Sequence, residues 1–253
     1  MLANYTRERE AFNQLWKPNC QEPILLLRGK SGCGKTSLLR SCRKAAPNSI
    51  FPVFVNCKQD DINAAVVFNL AADHAGRENL PDFSQCLRQH NVEIRDNQIE
   101  GNNNQINVVL GSGSEQERKE RLVWLTDAWL RDLNRLNQPL LLSVDTYEKA
   151  GADLKSWLHS LLVRLPRACS QLRIVLAGQE VPSTKTCEEW VDFCAEFELK
   201  GVPEAEHWLP VVKERGFRVP VEPPLTFLSG ICCAHAGHPA KILEVIETFP
   251  RLT

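Results

Sequence analysis

The feature that most constrains this chain is the stretch "LLLRGKSGCGKTSLL" at residues 25–39. Gly29, Gly34, Lys35 and Thr36 match the motif G-x-x-x-x-G-K-[ST], which binds phosphates when it joins a buried strand to a helix. The apolar run "PILLLRG", which ends at Gly29, predicts the strand, and the leucines after Thr36 predict the helix. The motif therefore predicts a loop whose backbone N–H groups hold phosphate oxygens.

The side chains of this loop predict a nucleotide with its magnesium ion. Lys35 is expected to reach the β- and γ-phosphates, and Thr36 to place its hydroxyl on Mg²⁺. A glycine-rich turn that binds nothing is the alternative, and the strand and helix around the motif argue against it. The predicted cofactors are ATP or ADP and Mg²⁺, held by Gly29, Ser31, Gly32, Cys33, Gly34, Lys35, Thr36 and Ser37.

Polar residues follow two further apolar runs. "LLLSVD" ends at Asp145, a carboxylate at the edge of the sheet where open α/β folds bind ligands, and it suits the Walker B role of holding Mg²⁺ through water. Glu148 could deprotonate the attacking water or be a surface acid. Gln179 follows "LRIVLAG" and could sense the γ-phosphate or only close a turn.

The order of segments predicts the fold. Strand-like runs alternate with helical ones over residues 1–200, which predicts an α/β P-loop NTPase with a mostly parallel sheet flanked by helices. Residues 91–114 differ, because apolar and polar residues alternate around an Asn-rich turn. We expect a β-hairpin-like insertion there, either a docking element or a tolerated excursion. Residues 201–253 read as three helices and predict a small helical subdomain.

The composition of the chain limits the partners and the cellular compartment that we expect for it. The sequence has thirty basic and thirty-one acidic side chains, so its formal net charge is −1. No overall attraction to nucleic acid or to a membrane follows from that balance. The N-terminus lacks the apolar core of a signal peptide, and no apolar run is long enough to span a bilayer. Ten cysteines scattered through apolar segments predict reduced thiols in a cytoplasmic protein.

Taken together, these motifs resemble those of the STAND-type ATPases, the signal-transducing class of AAA+-like P-loop proteins that includes the NACHT and NB-ARC domains. "NYTREREAF" is similar to the family's Arg-Glu entry motif, which implies that Arg7 binds near the nucleotide base. "HAGHPAKIL" is similar to its Gly-x-Pro element, which implies that Pro239 lies on the adenine and that His238 approaches the phosphates from a helical lid. The same "GHP" could instead only end one helix and start the next.

The resemblance implies an ATP-binding switch for signal transduction, in which exchange of ADP for ATP moves the lid and exposes an assembly surface. A homo-oligomer or an effector or sensor protein would be the partner. Lys35, Asp145 and Glu148 would carry Mg²⁺-dependent hydrolysis. Many relatives have an arginine where Gln179 stands and an acid where Thr146 stands, so slow hydrolysis is expected. The alternative is an AAA+-like motor or loader acting on nucleic acid or protein.

Two further groups of residues have both a functional and a structural interpretation. Cys232, Cys233 and His235, together with His238, have metal-binding side chains, but no C-x-x-C pair supports a site, and thiols packed in a helix are favoured. Arg164 and Arg167 could act as arginine fingers in an oligomer. A solvated helix end is favoured for them, because cations are common there.

Overall fold

The computed structural model of the chain describes residues 4–59, 62–90, 110, 113–186 and 189–252. Strands and helices are interspersed up to Leu199, and three helices follow. In chain order the elements are α1 (Thr6–Leu15), β1 (Ile24–Gly29), α2 (Lys35–Lys44), β2 (Phe51–Asn56), α3 (Ala64–Ala75), α4 (Pro81–His90), α5 (Glu115–Arg135), β3 (Leu140–Asp145), α6 (Ala152–Ala168), β4 (Leu172–Gly178), β5 (Cys194–Leu199), α7 (Trp208–Glu214), α8 (Pro224–Ala234) and α9 (Pro239–Ile246).

The five strands form one parallel sheet in the order β2-β3-β4-β1-β5. The three inner strands are nearly continuous apolar runs because both faces of the sheet are covered, whereas the edge strands β2 and β5 include several residues that are only partly buried. Strand β4 lies between β1 and β3. The carboxyl ends of all three therefore meet at one edge, which confirms the predicted α/β P-loop fold.

Helices cover both faces of the sheet and form two apolar clusters. Along β1, Ile24 and Leu26 face a cluster built with α3, α4, α5 and α6, while Leu25 and Leu27 face a cluster built with α1, α2 and the three C-terminal helices. Three aromatic rings dominate the first cluster. Phe68 packs edge-on against Trp129 and Trp157, with ring centroids 5.4 Å apart in each pair.

Helix α4 is an element that the sequence interpretation missed. The backbone N–H of Phe83 donates to Asp132 Oδ2 at 2.8 Å, and that of Asp82 donates to Oδ1 at 3.3 Å. Asp132 belongs to α5 and is fully buried, so its carboxylate caps the first turn of α4 from a neighbouring helix. Arg135, one turn along α5, pairs with the same carboxylate at 3.1 Å.

Most of the predicted insertion at residues 91–114 lies outside the described residues. Its last residue, Ser114, is the N-cap of α5 and forms a capping box with Glu117. Leu110 packs against the first apolar cluster. The nine cysteines that the structure describes are free thiols, as predicted. Over the same described ranges, none of the helices combines the length and the apolarity needed to cross a membrane.

The three C-terminal helices confirm the predicted helical tail. Trp208, Leu228 and Ile242 are buried in the second apolar cluster together with residues of α1 and α2. The backbone N–H of Val202 donates to the carbonyl of Gly237 at 2.8 Å, which ties the start of the tail to the turn between α8 and α9. The division of the chain at residue 201 stays a prediction.

Candidate functional site

The phosphate loop joins β1 to α2 and depends on its glycines. Gly32 has φ of +79° and Gly34 φ of +89°, a left-handed conformation that other residues adopt only with strain. Gly29 is required for a different reason. A Cβ there would lie 2.7 Å from the carbonyl oxygen of Leu199 in the paired strand β5. The spacing of the motif thus follows from the backbone path.

Lys35 is folded onto the loop that precedes it. Its Nζ donates to the carbonyl of Gly29 at 2.6 Å and to that of Lys30 at 2.9 Å. The side chain is nearly buried, and this burial is the main reason that the pKa of Lys35 lies below its ordinary value. The ammonium group is therefore held by neutral acceptors that phosphate oxygens could replace.

The two residues predicted to hold the metal are in direct contact. Thr36 Oγ1 donates to Asp145 Oδ2 at 2.7 Å, and the backbone N–H of Thr146 donates to Oδ1 at 2.9 Å. Asp145 ends the inner strand β3 and is almost fully buried. A hydroxyl and a carboxylate are the hard oxygen ligands that Mg²⁺ prefers, and this ion keeps several waters and substrate oxygens. The donor set fits Mg²⁺.

Glu148 and Gln179, which the sequence treated separately, form one unit. The backbone N–H of Gln179 donates to Glu148 Oε2 at 2.9 Å, and its side-chain Nε2 donates to Oε1 at 3.2 Å. Partial burial raises the pKa of Glu148, but hydrogen bonds from its own backbone N–H and from Gln179 lower it on balance below the ordinary value. Glu148 is therefore an ionised carboxylate at neutral pH.

These side chains surround one cavity of about 440 Å³, a volume within the usual range for small-molecule sites. Ten of the predicted site residues line it, and five residues that were not predicted line it as well. The predicted ones are Ser31, Gly32, Gly34, Lys35, Thr36, Ser37, Asp145, Glu148, Gln179 and Pro239, and the others are Lys58, Thr146, Lys149, Ala240 and Leu243.

Helix α9 begins directly on the phosphate loop. His238 Nε2 lies 2.9 Å from the carbonyl oxygen of Ser31, and because a carbonyl only accepts, Nε2 carries the proton. The backbone N–H of Ala240 donates to the carbonyl of Gly32 at 3.1 Å. Between these two contacts, Pro239 is buried and lines the cavity. The C-terminal helices thus form one wall of the candidate site.

The N-terminal motif contacts the loop through a different residue from the predicted one. Arg7 is exposed in the first turn of α1 and is not among the residues that line the cavity. Tyr5 is buried, and its hydroxyl donates to the carbonyl of Cys33 in the loop. Cys33 turns its own side chain away, toward the carbonyl of Lys200 at 3.7 Å. A nucleotide-binding role for Arg7 stays a prediction.

The remaining candidates lie apart from the cavity lining. Cys232 is buried and Cys233 is exposed, so the two thiols do not converge on one site. Across the part of the chain that the structure describes, no group of three His, Cys, Asp or Glu side chains is arranged to hold a metal ion. Arg164 pairs with Asp127 on α5, and Arg167 is exposed at the end of α6.

The loop after β1, the acid that ends β3, and the strand that lies between them define a P-loop NTPase. Residues 5–176 match the model of the family described as the AAA ATPase domain. This match covers more than half of the chain, and the chain belongs to that family. No curated protein matches the sequence of the chain.

Several solved structures are similar in fold. The Walker-type ATPase PABY2304 of Pyrococcus abyssi has a TM-score of 0.52 and 17% identity, over 96% of this chain and 67% of that one. Cdc6p from Pyrobaculum aerophilum has a TM-score of 0.47 and 13% identity, over 83% and 49%. A structure of Drosophila ORC bound to AT-rich DNA and Cdc6 has a TM-score of 0.39 and 13% identity, over 76% and 55%. At 17% identity, the likeness to the first of these structures shows the fold alone.

Proposed function

We propose that this AAA-family chain is an ATP-binding switch of the STAND type with slow, Mg²⁺-dependent hydrolysis. The state of the nucleotide would set the position of α7, α8 and α9 and thereby control assembly with further copies or with an effector. The observation that carries the proposal is the direct contact of α9 with the phosphate loop, through His238 to Ser31 and Ala240 to Gly32. The mobile element of such a switch would then touch the element that binds the ligand.

Binding would proceed by exchange of partners at residues that are already in place. Lys35 would give up the carbonyls of Gly29 and Lys30 for β- and γ-phosphate oxygens, and Thr36 would turn its hydroxyl from Asp145 to the metal. Mg²⁺ would supply charge neutralisation between the β- and γ-phosphates when bound. The burial of Pro239 in the same cavity supports its proposed contact with the adenine.

Slow hydrolysis follows from the state of Glu148. A general base works best when its pKa lies near the working pH, and the pKa of Glu148 is held below its ordinary value by hydrogen bonds. The carboxylate would orient the attacking water and accept its proton weakly, while Gln179 holds both of its oxygens. A site of this kind suits a switch whose ATP state must persist.

Mass photometry with ADP, ATP and the non-hydrolysable analogue AMP-PNP tests the proposal. We expect an assembled species of larger mass with AMP-PNP, a smaller fraction of that species with ATP, and only the unassembled protein with ADP. Limited proteolysis of residues 201–253 should show different protection with ADP and with AMP-PNP, because the helices would change position. Identical mass and cleavage in all three conditions would rule out the switch. Turnover that DNA stimulates would support the motor or loader instead.

A further inference from the structure

The turn after β2 brings a lysine to the edge of the sheet that holds the candidate metal ligands. Strand β2 pairs with β3 so that Asn56 is opposite Asp145, and the backbone N–H of Cys57 donates to the carbonyl of Asp145 at 3.0 Å. Lys58 is the next residue. Its backbone position therefore follows directly from the sheet register beside the metal-binding carboxylate.

Hydrogen bonds fix this turn. The backbone N–H of Lys58 donates to the side-chain Oδ1 of Asn56 at 3.1 Å, and that of Gln59 donates to the carbonyl of Asn56 at 3.1 Å. Side-chain bonds of this kind from an asparagine to the backbone two residues on stabilise a turn locally. The backbone of Lys58 is thus held by hydrogen bonds, although its side chain is exposed.

The side chain of Lys58 lines the same cavity as Lys35, Thr36 and Asp145. Among the described residues, its ammonium group has no hydrogen bond and no carboxylate partner. The charge of Lys58 also acts on Lys35. Burial is the largest influence and lowers the pKa of Lys35. Cys33, Glu148 and Asp145 raise that pKa, and the positive charge of Lys58 is a smaller influence that lowers it. An anion between the two lysines would relieve this repulsion.

The charges around the cavity indicate which anion this would be. Helix α9 contributes only uncharged side chains to the lining, those of Pro239, Ala240 and Leu243. The lining cations among the described residues are Lys35, Lys58 and Lys149, and all three come from the α/β core. The γ-phosphate of ATP adds negative charge next to the metal, which Thr36 and Asp145 would hold. Compensation for this added charge must come from the core.

We infer that Lys58 contacts the terminal phosphate of bound ATP and sets the preference of the site for ATP over ADP. This inference rests on the proposed function, because it requires an adenine nucleotide in the cavity. Lys58 would be a specificity-determining residue: its ammonium would bond γ-phosphate oxygens that ADP lacks, while Lys35 serves both nucleotides.

The test compares the affinities for Mg·ADP and Mg·AMP-PNP in four proteins by isothermal titration. These are the wild type, Lys58→Ala, Lys58→Arg and the control Lys149→Ala. The control removes an exposed lysine from the same cavity lining, but Lys149, unlike Lys58, is not among the charges that shift the pKa of Lys35. Circular dichroism checks that each variant is folded.

Lys58→Ala should weaken AMP-PNP binding about tenfold, as expected for loss of a charge-assisted bond to phosphate, and ADP binding by less than about twofold. Lys58→Arg should keep the wild-type preference, and Lys149→Ala should change both affinities alike. If the wild type binds both nucleotides and Lys58→Ala leaves their affinity ratio unchanged, the inference about Lys58 is wrong and the proposed function stands. A wild type that binds neither nucleotide overturns both.

Discussion

Gly178, the last residue of β4, allows Glu148 and Gln179 to meet. A Cβ at this position would lie 2.6 Å from Glu148 Oε2 and 2.8 Å from the carbonyl oxygen of Glu180. Carbon and oxygen atoms do not approach this closely, so Gly178→Ala must displace the carboxylate of Glu148. The displaced group would lose the bond from the backbone N–H of Gln179, now 2.9 Å long.

The expected magnitude follows from the bonds at stake. Hydrogen bonds to a charged group contribute about 1.5–3 kcal/mol each, and partial exposure of Glu148 reduces this to about 1–2 kcal/mol in all. Loss of these bonds would let the pKa of Glu148 rise, which favours proton acceptance, but a displaced carboxylate would no longer orient the attacking water. If the loss of orientation dominates and costs the whole of this energy in the transition state, ATP turnover should fall by about 5- to 30-fold, since each 1.36 kcal/mol is roughly a factor of ten. Overpacking against the backbone should lower the free energy of unfolding by about 1–3 kcal/mol.

The assay is steady-state hydrolysis of Mg·ATP, with ADP titration and thermal unfolding of the same variant. Gly230→Ala on α8 is the matched control, because a Cβ there meets no atom within 4 Å. It should leave turnover unchanged and raise stability by about 0.5–1 kcal/mol, as alanine does in a helix. A folded Gly178→Ala protein with wild-type turnover would refute the role given to the Glu148–Gln179 unit. If Gly178→Ala also lost ADP binding, the unit would contribute to nucleotide binding and not to hydrolysis alone.

Four further substitutions test separate parts of the molecule. Lys35→Ala should abolish or severely weaken ATP binding in calorimetry, and undiminished affinity would contradict the phosphate-loop assignment. Glu148→Gln should keep nucleotide affinity and slow turnover, because an amide cannot accept the proton of water. Asp132→Ala should lower the free energy of unfolding by about 2–3 kcal/mol in urea denaturation, since it removes the buried cap of α4. His238→Ala should increase protease cleavage within residues 201–253, and unchanged cleavage would mean that its contact with Ser31 holds nothing in place.

The parts of the fold that the sequence predicted are those decided by neighbouring residues. The inner strands are continuous apolar runs, and the phosphate loop is a fixed spacing of glycines before Lys35, so both could be read locally. The helical tail was predicted for the same reason, because its apolar residues recur with helical spacing. The position of Asp145 at the edge of the sheet was predicted because a polar residue directly ends a buried strand.

The parts that were missed depend on residues distant in sequence. Helix α4 is capped by Asp132, about fifty positions away, and no local pattern reveals that partner. Lys58 belongs to no motif, and its place in the cavity follows only from the pairing of β2 with β3. The resemblance at the N-terminus pointed to Arg7 and not to Tyr5. A tyrosine at the start of α1 nevertheless carries a hydroxyl that can donate to the phosphate loop.

The contacts of α9 with the phosphate loop separate two steps of the proposed switch, detection of a bound nucleotide and discrimination between ATP and ADP. Ser31 and Gly32 accept hydrogen bonds from α9 through their carbonyls, whereas phosphate loops bind phosphate through their N–H groups. Because each peptide unit is planar, a loop that rotates its N–H groups toward phosphate also rotates the carbonyls that α9 contacts. ADP and ATP both occupy this loop, so these two contacts alone would report only that a nucleotide is bound, and a difference in the position of α9 between ADP and ATP would have to originate at the γ-phosphate. That difference would then come from the core, through the proposed contact of Lys58 with the γ-phosphate.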